Sequence, residues 1–77
     1  MIEVTTTYDL KIYTERVIKT AIRYYSSICN IQFHIEGDEG ICCFKVDKKY
    51  ADRVVYEFGN FLIELLQRES GDMYVTD

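Results

Sequence analysis

No run in this 77-residue chain approaches the ~18–20 apolar residues that cross a bilayer. The amino terminus is a polar alternating segment without the zones of a signal peptide, so a cytoplasmic protein with no membrane association is expected. Histidine is nearly missing: His34 stands alone. With neither a second imidazole nor a Cys-x-x-Cys pair, a tetrahedral zinc site lacks its ligands, and no metal or other cofactor is expected. Cys29, Cys42 and Cys43 are odd in number, and the adjacent two would point to opposite faces of a strand. That argues against a disulfide framework and for reduced thiols packed as small apolar groups. Basic excess is lacking as well. Nine Lys and Arg against thirteen Asp and Glu give a net charge of −4, which repels a phosphate backbone and argues against nucleic acid as a partner. The glycines are few, and no Gly-rich loop opens into a helix bearing a Lys, so a phosphate cradle is excluded.

What is present reads as one folded domain over residues 1–77. Hydrophobic residues make up 48% and charged residues 29%, a globular balance. A domain this short buries only about 60% of the surface its unfolded chain exposes. Seven Tyr and four Phe therefore matter, since each aromatic supplies a large buried area.

Ile2, Val4, Thr6 and Tyr8 alternate with Glu3, Thr5, Thr7 and Asp9, which predicts a half-buried strand over 2–9 with room for a bend near Thr7. Thr14 offers a capping hydroxyl and Glu15 a favourable first-turn charge. Val17, Ile18, Ala21, Ile22, Tyr25 and Ile28 then recur at helical steps, predicting a helix over 15–28. Ile31, Phe33 and Ile35 alternate with polar residues, Gly37-Asp38-Glu39-Gly40 supplies turn residues, and Cys42, Phe44 and Val46 alternate again: a β-hairpin. From Asp47 the period turns helical, with Ala51, Val54, Val55, Phe58, Leu62 and Leu65 as a core stripe over 48–69. Ser70-Gly71-Asp72 suits a left-handed cap, leaving Met73-Tyr74-Val75 as a frayed tail or brief strand. The fold expected is α+β, a β-α-β-β-α two-layer sandwich with both helices on one face of a three-stranded sheet. A right-handed crossover would set the first two strands parallel beside an antiparallel hairpin, giving a mixed sheet.

Catalytic constellations are weak. His34 sits on the polar strand face with Gln32, Asn30, Cys43 and Lys45. A Cys43–His34 nucleophile pair requires the hairpin to set the two opposite one another. Asp38 and Glu39 occupy a solvated turn. No catalytic residue is assigned and the chain reads as a non-enzyme. More informative is the second helix, whose apolar surface is wider than one sheet-facing stripe: Tyr56, Ile63 and Leu66 flank Gly59. A glycine there costs about 1 kcal/mol relative to alanine and points to close backbone packing. Either the first helix covers this added stripe or it is a surface for a dimer or another partner.

Ile12-Tyr13-Thr14, followed by Val17-Ile18, Ala21, Tyr24-Tyr25 and Ser26, resembles the opening of HxsD proteins of the His-Xaa-Ser system. The run Glu57-Phe58-Gly59-Asn60-Phe61-Leu62-Ile63-Glu64, ending in Arg68-Glu69, resembles that family's carboxy-terminal segment, and the likeness spans roughly residues 8–69. The resemblance implies a small accessory protein acting beside radical S-adenosylmethionine (SAM) enzymes in the maturation of a peptide with His-Xaa-Ser repeats. Asn60, Arg68 and Glu69 are its matching positions. The functional expectation is a non-enzymatic binding module for that peptide or those enzymes, with Tyr56, Gly59, Asn60, Ile63, Leu66 and Arg68 as partner-binding residues. The alternatives are a self-associating domain and, more distantly, a thiol enzyme using Cys43.

Overall fold

A computed structural model describes the backbone of residues 1–74 and the side chains of residues 1–69. The elements are β1 (Ile2–Asp9), α1 (Glu15–Tyr25), β2 (Asn30–Glu36), β3 (Glu39–Val46), a 3₁₀ turn (Lys48–Tyr50) and α2 (Ala51–Tyr74). The order β-α-β-β-α and the α+β class match the sequence reading. No described helix is long and apolar enough to cross a membrane.

The register of β1 with β3 proceeds unbroken from Ile2 opposite Val46 to Asp9 opposite Glu39, so no bulge interrupts the strand near Thr7. The strand stops where the Asp9 carboxylate accepts the Lys11 amide at 2.8 Å and the Asp9 carbonyl accepts the Ile12 and Tyr13 amides. α1 opens on Thr14, whose hydroxyl accepts the Val17 amide at 3.2 Å, and Glu15 pairs with Lys19 one turn on at 2.6 Å. It closes at Tyr25, three residues sooner than expected. The Ser26 hydroxyl donates to the Arg23 carbonyl at 2.8 Å, competing with the helical ladder, and Ile28 is left 63% exposed outside the core stripe.

The hairpin turns through Gly37-Asp38. Gly37 has φ +59° and no other described residue has positive φ, as a type II′ turn requires. Gly40 therefore serves a different purpose from the turn role expected for it: it lies within β3, buried under Phe33, Leu10 and Ile18.

The strand order is β1-β3-β2, with both pairings antiparallel. This corrects the expectation of a mixed sheet. β1 and β2 do run in the same direction, as a crossover helix dictates, but β3 inserts between them and no parallel pair forms.

One face of the sheet carries Val4, Thr6 and Tyr8 from β1, Cys42, Phe44 and Val46 from β3, and Ile31 and Phe33 from β2. Both helices pack on it. α1 contributes Val17, Ile18 and Ala21, and α2 contributes Ala51, Val54, Phe58 and Leu62. α1 lies over β2, while α2 reaches β1 through Phe58 against Tyr8. The Phe58 ring also meets Phe44 edge-on at 5.0 Å and Tyr25 at 5.4 Å, so one side chain joins the sheet to both helices.

Asp47 caps the final helical stretch by accepting the Lys49 amide at 3.0 Å. α2 then runs on through Ser70-Gly71-Asp72 to Tyr74, so the expected glycine stop does not form. A lone Gly weakens a helix without breaking it, and no proline follows to enforce an end. Met73 and Tyr74 are helical, not strand, and Val75 lies outside the described residues.

Candidate interaction surface

α2 turns one side to α1. Phe61 meets Tyr24 edge-on at 5.4 Å and Tyr25 at 6.0 Å, and further along Glu69 lies 3.9 Å from Arg16. At about 100° per residue, Tyr56, Gly59 and Ile63 fall on the flank of α2 turned away from α1. That flank is open. Tyr56 is 71% exposed and Ile63 44% exposed, and a Cβ built on Gly59 would have no neighbour within 4 Å. The reading in which α1 covers the added stripe is thus overturned, because α1 packs against the opposite side.

The six expected partner-binding residues do not form one patch. Tyr56, Gly59 and Ile63 share the open flank, and half-buried Leu66 borders it where it meets the core. Asn60, four residues on from Tyr56 and three before Ile63, lies at the outer rim of the same flank, exposed and without a side-chain hydrogen bond among the described residues. Arg68 stands on the α1 side, bordering a cleft with Arg16.

Next to this flank lies the outer edge of β1, unpaired among the described residues. Pairing with β3 uses only one side of the eight-residue strand, leaving alternate amides and carbonyls outward. β1 contains no Lys, no Pro and no bulge, the devices that usually blunt an edge.

The thiols and the histidine do not assemble. His34 lies opposite Ile41, and Cys43 opposite Gln32, so the two are diagonal and make no hydrogen bond among the described residues. His34 Nε2 instead lies 3.5 Å from a Glu36 carboxylate oxygen. Cys42 is fully buried under the helices, and burial pushes its thiol up to about 12; burial raises Cys29 too. The folded state thus holds the Cys42 proton above its ordinary value of 9.0. That contribution to stability is whole below about pH 9 and is lost as pH climbs toward 12. In the native protein at about pH 8, Cys43 should alkylate first and Cys42 only as the domain unfolds. Mass spectrometry of a time course checks this, and equal rates would contradict the packing described. Burial likewise raises the Tyr8 phenol, partly opposed by the nearby Thr6 hydroxyl; Thr6 Oγ1 is itself buried and finds no partner in hydrogen-bond geometry.

Asp38 and Glu39 keep to the turn, with Asp38 Oδ2 3.7 Å from Lys11 Nζ, both well exposed. Among the described residues no group of His, Cys, Asp or Glu could hold a metal ion. Two concavities that join different elements were not foreseen. One of about 560 Å³ opens at the end of the sheet beside Met1, Ile28, Val46 and Val54, with Arg53 paired to Glu57 at 3.2 Å on its rim. The other is the cleft between Arg16 and Arg68. Both join residues remote in sequence, which periodicity within one element does not reveal. Comparison with family models, curated proteins and solved structures gives no match to this chain.

Proposed function

We propose that this chain is a non-enzymatic interaction module that docks a protein partner on the open flank of α2, alongside the outer edge of β1. Gly59 supports the reading most directly. A glycine inside a 24-residue helix costs about 1 kcal/mol relative to alanine. Gly40 offsets such a cost by letting three apolar side chains close on the backbone, whereas among the described residues nothing beyond the local helix comes within 4 Å of a Cβ built on Gly59. An incoming backbone or flat side chain fits that space, with Tyr56 and Ile63 on either side as anchors. A segment laid along β1 adds main-chain hydrogen bonds that need no particular side chains.

The likeness to HxsD proteins supplies the partner class: a radical SAM maturation enzyme or its His-Xaa-Ser repeat peptide. Co-elution of this protein with either, and titration at tens of micromolar, tests the assignment; no interaction with both counts against it. Gly59→Ala sharpens the test because its two effects have opposite signs. The free domain should gain roughly 0.5–1 kcal/mol, raising Tm by several degrees, as helix propensity improves without a clash. Partner affinity should fall at least about tenfold as the new methyl holds the partner off, a loss of roughly 1.4 kcal/mol. Unchanged affinity in the stabilised variant would remove the α2 flank from the interface. The same flank also suits a second copy about a two-fold axis, since Tyr56 and Ile63 of each chain could straddle Gly59 of the other. Light scattering showing only monomer at high concentration eliminates that second reading.

A further inference from the structure

We infer that the outward face of α1, with the cleft it shares with α2, is a separate docking surface for an acidic peptide segment. Arg16, Lys19 and Arg23 follow one another at three- and four-residue steps and form an outward stripe on α1, with Thr20 beside it. A shallow depression of about 460 Å³ runs along this stripe. It shares Arg16 and Thr20 with a second cavity of about 150 Å³, which has Val17 and Leu65 as its apolar lining and is bounded by Arg68 and Glu69 from α2. The outward face of α1 is therefore basic, and it adjoins an apolar cleft shared with α2.

Its charge is opposite to that of the rest of the chain. On the outward face of α1, Arg16, Lys19 and Arg23 stand with one carboxylate, Glu15, a local charge of +2, while Glu64 and Glu57 of α2 lie toward Tyr25 at the far end of the helix. The remaining six Lys and Arg stand against twelve Asp and Glu, or −6. Internal pairing does not neutralise the stripe. Lys19 is bonded to Glu15 at 2.6 Å, but Arg16, 85% exposed, only reaches Glu69 at 3.9 Å, and Arg23 has no carboxylate partner among the described residues. Like charges at these spacings repel along a helix face, so the stripe is a cost to the isolated helix that a complementary chain would relieve. Arginine forks favour carboxylates held in bidentate geometry, and the Val17–Leu65 lining receives an aliphatic side chain between them. A phosphate backbone fits less well. It would meet Glu15 and Glu69 at this surface and the −6 field beyond it.

The surface differs from the α2 flank, so the two proposals fail independently. The test uses the full chain and a labelled peptide of about a dozen residues, rich in Asp and Glu around one Leu, followed by fluorescence anisotropy. Binding is expected in about 50 mM salt and should weaken roughly tenfold by about 200 mM. The exposed double reversal Arg16→Glu/Arg23→Glu should weaken it by at least about tenfold while circular dichroism and Tm stay near wild type. Gly59→Ala should leave it unchanged. Absence of binding at low salt, equal affinity for the double variant, or tighter binding of a single-stranded oligonucleotide than of the acidic peptide would each overturn the proposal.

Discussion

Replacing Phe58 with alanine is expected to remove about 3–5 kcal/mol of folding stability, the loss typical of deleting a fully buried aromatic ring. A chain of this length holds on the order of 4–12 kcal/mol in total, so the variant sits near its unfolding threshold at room temperature. Position explains the size of the effect. Phe58 is 0% exposed and its ring touches Phe44 of β3, Tyr25 at the end of α1 and Tyr8 of β1. Among the described residues no other side chain of α2 bridges the sheet and the first helix by aromatic contacts in this way. The cavity left behind is bordered by three rings that cannot all move inward, since Tyr8 and Tyr25 each belong to a different element. Urea unfolding followed by circular dichroism gives the measurement. A midpoint shift equivalent to less than about 1 kcal/mol would show that the centre of the core lies elsewhere.

Gly40→Val is the second large effect, expected to exceed about 3 kcal/mol, with Gly40→Ala costing about 1–3 kcal/mol on its way there. A Cβ at this position would stand 2.9 Å from Phe33 Cε1, 3.1 Å from Leu10 Cδ2 and 3.2 Å from Ile18 Cδ1. These three atoms come from β2, the loop after β1 and α1, so relief in one direction tightens another. Alanine can be met by a small tilt of the Phe33 ring at the sheet edge. Valine adds two methyls that cannot. The pair Gly40→Ala and Gly59→Ala is the sharper comparison: one substitution, made at two places in the same molecule, with opposite expected signs in a thermal melt. Should both destabilise, the open surroundings of Gly59 would be refuted.

Local periodicity made most of the elements legible. β1, the hairpin and the core stripe of α2 follow from apolar residues recurring at two or at three to four positions, and each is found where that pattern puts it. Errors gathered where the decisive force is not local. The end of α1 depended on a Ser26 hydroxyl competing for the Arg23 carbonyl, a matter of one hydrogen bond. The run of α2 past Gly71 reflects the weakness of a lone glycine as a stop signal. Strand order was out of reach, because nothing in β1 or β2 states which neighbour it will pair with, and the central place of β3 emerges only when all three apolar faces are buried together. Of the partner-binding residues, Tyr56, Gly59 and Ile63 were legible as surplus apolar surface on a helix that needed only one stripe. Asn60 and Arg68 were not placed by that logic: Asn60 falls at the rim of the flank beside Tyr56, and Arg68 stands on the α1 side. The docking surface on α1 escaped notice altogether: its basic stripe reads as an ordinary solvated face until Leu65, Arg68 and Glu69 are seen across from it.

The middle strand of the sheet is the last of the three to be made. While a ribosome is still synthesising residues before Glu39, β1 and β2 lack the strand they pair with, and of these elements only α1 can form by local hydrogen bonds, which at eleven residues is marginal in water. Ile2 must then find Val46 across most of the chain already emerged, a closure that slows the search relative to a helical bundle of equal length. Two unpaired apolar ribbons wait through that interval, and this is the window in which a chaperone or the eventual partner would have its greatest influence on yield.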